Sequence, residues 1–355
     1  MTSRRHFLGG LLTTGLMPHV GWAETGNPAY LSAARLPSGR YALFGLNGLG
    51  EVVFGIPLPG RGHAAAAHPT QALAVAFARR PGRFAMVINC KSGQMVSRLE
   101  APEGHHFYGH GAFSGDGAVL LTTENHFNDA RGMIGMWDAK DNYRRIGAMP
   151  SGGVGPHELR LMPDGETFLV ANGGIETHPD AGRAKLNLPD MRPNLSYLAL
   201  NGALLEQHQP PVEWHRNSMR HLAVHADGHV AVACQWQGDL AETPPLLATH
   251  RRGQPLMFHE TGRGLEREMQ GYAGSVAFSG NGGEIALTGP RGGVALIFET
   301  TGKLRRQLME TDICGVAAGG SDFVFTTGTG RILVGAAQER RVHDCQWDNH
   351  LVAIG

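Results

Sequence analysis

Five of the 19 histidines recur at one phase of a repeated pattern. His63, His110, His157 and His221 each stand at the head of a short apolar run that leads into a polar turn, and His350 heads the similar run Leu351–Ile354. Ser275 and Gly315 hold the same phase in two further repeats. Imidazole is a ligand for iron, copper, zinc and nickel. If the five residues come from separate strands lining one axis, they form a candidate metal site of His63, His110, His157, His221 and His350, with iron, copper or zinc as the expected ion. The same positions equally suit imidazoles that anchor turns by hydrogen bonding to backbone or polar side chains.

Charged and polar neighbours extend this pattern. Glu158, Arg220, Asp348 and Asn349 flank the histidines and are candidates to orient them or to bind an anion. Side chains alternate along a strand, so Glu158 need not face the way His157 does. His106 lies in the segment leading to His110. Glu124 and His126 follow the second strand of their repeat, as Gln235 and Trp236 do in theirs. Together these residues suggest a polar funnel above the histidines. Solvated loop positions account for any single member equally well.

The elements that must position these groups are short strands. Ala118–Thr123, Thr167–Ala171, His229–Ala233 and Glu284–Thr288 each follow an Asp-Gly or Asn-Gly pair, which supplies the positive φ a tight hairpin needs. A third strand follows in most repeats, and an outer one such as Met95–Leu99 or Leu304–Leu308. Repeat starts at 63, 110, 157, 221, 275 and 315 are spaced by 40 to 64 residues, near the ~40–50-residue period of propeller blades. The stretches 173–194 and 237–256 read as surface insertions. Six repeats are complete. Strands near Tyr30–Ala34, Tyr41–Phe44 and Glu51–Ile56 lack an inner strand, which 350–354 can supply. The expected fold is therefore an all-β, seven-bladed β-propeller closed by a composite blade from both chain termini. A two-sheet sandwich explains the period badly.

Composition narrows the function. Lys+Arg and Asp+Glu are both 31, so there is no global attraction for nucleic acid or an anionic membrane. Fifty-one glycines without a Gly-X-Y period fit frequent turns rather than collagen. No phosphate-binding Gly-Lys-Ser/Thr loop, HExxH, G-x-S-x-G elbow or CxxCH is present. The four cysteines form no CxxC, and Cys314 and Cys345 are close enough in the repeat scheme to pair. Arg4-Arg5 followed by Leu8–Leu12 resembles a twin-arginine export signal with cleavage after Ala23. Residues 1–23 are thus expected to be a leader, and 24–355 a single periplasmic propeller domain. No segment after the leader reaches the ~18 apolar residues of a membrane span.

The leader Ser3–Leu8, the Gly-His strand starts, Gly155-Pro156-His157-Glu158 and Trp347-Asp348-Asn349-His350 together resemble the bacterial domain-of-unknown-function family 1513. The resemblance covers nearly the whole mature chain. It implies an exported propeller, encoded beside imelysin-type iron-uptake proteins and haem-peroxidase-like proteins, and hence periplasmic iron-uptake proteins as partners. It carries no established activity or residue role. Three functions stay open: a ligand- or metal-binding accessory protein, a metal-dependent oxidoreductase or lyase using the same site, and an interaction scaffold with structural histidines.

Overall fold

The computed structural model of the protein describes residues 20–79, 83–262, 264–335 and 338–354. Seven antiparallel sheets are arranged as a propeller. In chain order the inner strands are Gly62–Ala67, His105–Phe113, Pro156–Leu161, Asn217–Val224, Ser275–Phe278 and Ile313–Gly319. The seventh sheet is composite: Gln346–Trp347 and Val352–Ala353 both pair with Tyr30–Arg35, which continues to Tyr41–Leu46 and Val52–Leu58. Each inner strand neighbours the next, and Val352–Ala353 sits between the sixth and the first. The circle is thereby closed, and each inner strand remains the short, channel-facing edge of its own sheet, shielded by its neighbours.

The hairpin turns explain why the sequence takes this form. Asp116, Asp164, Asp227 and Asn281 each accept a hydrogen bond at Oδ1 from the backbone N–H two residues on, at 2.9–3.0 Å. The following glycines take φ of 71°, 73°, 82° and 71°, a region that costs other residues steric strain.

Buried apolar side chains fall into seven clusters among the described residues, one at each junction between neighbouring blades. Phe77 and Val87 of the first blade meet Phe107, Leu120 and Trp137 of the second. Tyr30 and Leu46 of the closing blade meet Val324 and Ile332 of the sixth. Each such Leu or Phe contributes roughly 1.5–3 kcal/mol on burial, so interblade packing holds the ring together without help from the axial histidines.

Two expectations need correction. The stretch 237–256 is not all insertion, because Leu247–His250 is the third strand of its blade. The second irregular segment of that blade instead follows Met257–His259 and carries the short helix Leu265–Glu268. Cys314 and Cys345 are both free thiols. The Cys314 sulfur points to the carbonyls of Thr326 and Asp348, each 3.4 Å away. The twin-arginine segment lies outside the described residues. Trp22, next to the expected cleavage point, is buried and donates its indole N–H to the His68 carbonyl at 2.9 Å. No helix among the described residues is long and apolar enough to cross a membrane.

Candidate metal centre on the propeller axis

The inner strands do not run regularly past the histidines. Pairing with the second strand slips between Gly62 and Ala65, Phe107 and Gly111, Pro156 and Glu158, and Met219 and His221. Four bulges thus fall at or beside His63, His110, His157 and His221. A bulge re-aims the side chains it carries. At Gly109, φ is +101° and a Cβ would stand 2.8 Å from His63 Cδ2, so glycine is what lets the second blade approach the first.

The five imidazoles meet on the axis. Successive ring centroids around the circle, His350 to His63 to His110 to His157 to His221 and back to His350, lie 4.5, 4.9, 4.8, 4.8 and 4.8 Å apart. Ser275 and Gly315 leave the gap that lets His221 reach His350. Ligand atoms of His63, His110 and His157 all lie within 4.8 Å of one another, as do those of His110, His221 and His350. His110 is common to both triads.

Two buried carboxylates stand behind the rings. Glu158 Oε2 lies 3.2 Å from His221 Nδ1 and 4.0 Å from His110 Nδ1, while Arg160 holds Oε1 at 2.6 Å. The bulge at His157 thus lets both neighbours serve the axis, despite the alternation of a regular strand. Asp348 Oδ1 lies 3.7 Å from His63 Nδ1, beyond hydrogen-bond range, and Asp348 pairs with Arg61 and Arg79 at 2.7 and 2.9 Å. Of these contacts only that of His221 Nδ1 with Glu158 is a hydrogen bond, and it leaves His221 Nε2 for the axis. The His63 and His110 Nε2 atoms are 3.3 Å apart. Buried His350 Nε2 and His63 Nδ1 have no hydrogen-bond partner. Arg220 is 3.3 Å from His157 Nδ1.

Burial lowers the proton affinity of all five rings. The effect is largest at His110, His157 and His350, which stay well below the usual imidazole range. At His157, Arg220 and the neighbouring histidines add to it. Burial pushes Glu158 up, but Arg160, His221 and His110 together hold it well below the usual carboxylate range. Asp348 is held low in the same way by His63, Arg79 and Arg61 against its own burial. The centre therefore consists of neutral imidazoles with ionised carboxylates at their backs. Burial pushes the nearby Cys314 thiol up to about 12, so it is protonated in the metal-free protein.

His63, His157 and His221 form the floor of a cavity of about 520 Å³ at one mouth of the channel. Arg220, Gln235, Trp236 and Asn349 line it, as the sequence suggested. His106, Glu124 and His126 do not. His106 is buried against Phe107 O and Asn125. Glu124 is fully buried inside its blade, gripped by both Arg145 nitrogens at 2.7 and 2.9 Å and by His105 at 3.2 Å. His126 pairs with Asp129. The longer second and third strands of that blade carry these groups away from the axis.

Sequence reasoning missed Arg79 and Arg291, which also line the cavity. They follow the second strands of the first and fifth blades, the same position from which Gln235 and Trp236 were read, so the phase already in hand identifies them. It missed Arg183 and Lys185 too, which the 173–194 insertion carries to the rim.

A second cluster, Glu206, His208 and His250, has metal-compatible spacing. Its atoms are already engaged. His250 contacts Tyr197 Oη at 2.6 Å and Gln254 O at 2.8 Å, and His208 meets Glu206 at 2.7 Å. Glu206 also accepts the Gly253 N–H at 2.9 Å. This is a satisfied structural network, in contrast to the axial centre.

None of the curated proteins matches this chain. Among solved structures, it is similar to Kuenenia stuttgartiensis hydrazine synthase, with 12% identity, a TM-score of 0.59, and coverage of 86% of this chain and 89% of that one. At that identity the likeness concerns the propeller fold alone. The model of the family described as "Protein of unknown function (DUF1513)" matches residues 56–354, from the outer strand of the closing blade through the fifth histidine, and the chain belongs to that family.

Proposed function

We propose that the axial histidines bind one transition-metal ion, and that the protein is a periplasmic accessory protein linked to iron uptake. The observation that carries the metal reading is the convergence of five buried imidazoles on one axis, with the ligand atoms of His63, His110 and His157, and those of His110, His221 and His350, within 4.8 Å of one another. The Nε2 atoms of His63 and His110 are 3.3 Å apart, a separation that two imidazole ligands of one ion can share. Glu158 Oε2, 3.2 Å from His221 Nδ1, stands where a carboxylate fixes the tautomer of a ligating ring and raises its basicity. The unpartnered His350 Nε2 supports the same reading. Iron, copper and zinc all suit imidazole donors. His110 belongs to both triads and offers one inward nitrogen, which favours a single ion over two.

The export signal and the family resemblance support the periplasmic and iron-uptake parts of this proposal. A metal-dependent oxidoreductase or lyase is a second reading, favoured by the cavity that opens directly onto His63, His157 and His221. A scaffold role has less support, because interblade packing already closes the ring without the histidines.

Metal analysis and calorimetric titration with Fe(II), Cu(II) and Zn(II) test the proposal. One ion per chain is expected. Glu158→Gln should weaken binding by about 10–100-fold, the usual cost of losing such a backing group. Absence of stoichiometric binding by any of the three ions refutes it.

A further inference from the structure

The cavity above the histidines is cationic. Arg79, Arg183, Lys185, Arg220 and Arg291 line it, against a single acid, Asp312. Arg79 is neutralised by Asp348 at 2.9 Å. Lys185 and Arg291 form no ion pair among the described residues. Lys185 instead bonds Gln237 Oε1 at 2.5 Å, and the Arg291 guanidinium lies over the Tyr272 ring at 4.3 Å from its centroid. The cations crowd one another: burial, then Arg220 and Arg291, lower the proton affinity of Lys185. Asp312 in turn is pushed up, chiefly by burial. Lys185 and Arg291, from the third and fifth blades and without an ion pair among the described residues, stabilise an anion placed between them.

The size and walls of the cavity specify the kind of anion. About 520 Å³ is far more than a bare tetrahedral oxyanion fills and lies in the range of small-molecule sites. Trp236 and Tyr272 give it apolar walls, and Gln235, Gln237 and Asn349 add neutral polar groups. Planar guanidinium groups pair with carboxylate or phosphate oxygens two at a time.

We infer that this vestibule binds a small organic anion carrying two or more negative charges, held by Lys185 and Arg291 against the Trp236 and Tyr272 faces, directly above the histidine floor. The inference extends the metal reading, since such an anion would stand where it can complete or deliver the ion's coordination. Anion binding itself requires no metal.

Calorimetry on metal-free, full-length protein tests this with three probes: tricarballylate, 3-phosphoglycerate and inorganic sulfate. At least one organic anion should bind one-to-one, and at least tenfold more tightly than sulfate. Whichever binds more tightly identifies carboxylate or phosphate as the recognised group. The double variant Lys185→Gln/Arg291→Gln changes two exposed side chains, and should melt as the parent does while losing at least tenfold in affinity. The inference is overturned if neither organic anion outcompetes sulfate, or if the double variant binds as well as the parent. Titrating the metal ions alone, without anion, keeps the two readings apart. Anion binding without metal binding sinks only the metal proposal, and metal binding without anion binding sinks only this one.

Discussion

Acid should destabilise the metal-free protein through the axial histidines. His110, His157 and His350 are held neutral by burial, well below the ordinary imidazole value. The unfolded chain titrates them near 6.5. A group whose folded-state affinity for protons is lowered stabilises the fold above its unfolded pKa, and that stability is lost as pH falls through this value. For a ring that stays neutral in the native state, moving from pH 7.5 to 5.5 costs RT ln(1 + 10), about 1.4 kcal/mol. Three such rings give a loss of about 4 kcal/mol, a large share of the ~5–15 kcal/mol that separates most domains from unfolding. Glu158 and Asp348 do not offset this, because they are ionised in both states across the window. Urea unfolding of chelator-treated protein at the two pH values measures the loss, and His350→Gln should shrink it by about 1.4 kcal/mol. Stability unchanged between pH 7.5 and 5.5, or folded-state titration of these rings near 6.5 by NMR, would refute the reasoning.

Other perturbations separate the centre from its surroundings. Glu124→Gln breaks a buried pair with Arg145 and should cost about 3 kcal/mol in urea unfolding, leaving metal affinity intact. Gly109→Ala introduces a side chain at φ +101°, 2.8 Å from the His63 ring; strain of about 1–3 kcal/mol should appear as a lower melting point together with weaker metal binding. His208→Ala should leave the metal stoichiometry of the protein unchanged, as measured by elemental analysis, because the Glu206–His208–His250 cluster is already satisfied by hydrogen bonds.

The propeller was legible because turn chemistry repeats. Asp116-Gly117, Asp164-Gly165 and Asp227-Gly228 mark the same hairpin in successive blades, and the histidines stand six or seven residues ahead of it. The strand Leu247–His250 was hidden by its shortness and by the prolines just before it, Pro244 and Pro245. The funnel was half legible. Gln235 and Trp236 reach the cavity, while Glu124 and His126 follow their strand in the same way and do not. The difference lies in the third strand: Arg131–Asp138 stays paired with the second as far as His126, whereas Leu247–His250 pairs only with Val230–Ala233 and leaves Gln235 and Trp236 beyond it. Gly62, Gly109 and Gly155 stand beside three of the bulges, but where the pairing slips depends on how two strands meet. That is why the facing of Glu158 could not be settled from alternation.

The composite blade has a consequence in time. A ribosome releases Tyr30–Leu58 long before Gln346–Ala353, the segments they must pair with. Asp348 and His350 sit in that late segment, so the axial centre lacks its fifth imidazole and one backing carboxylate until the circle shuts. Occupancy of the axis would then report on completion of the fold, and a chain truncated before Asp348 would be recognisable as unfinished by its failure to hold an ion.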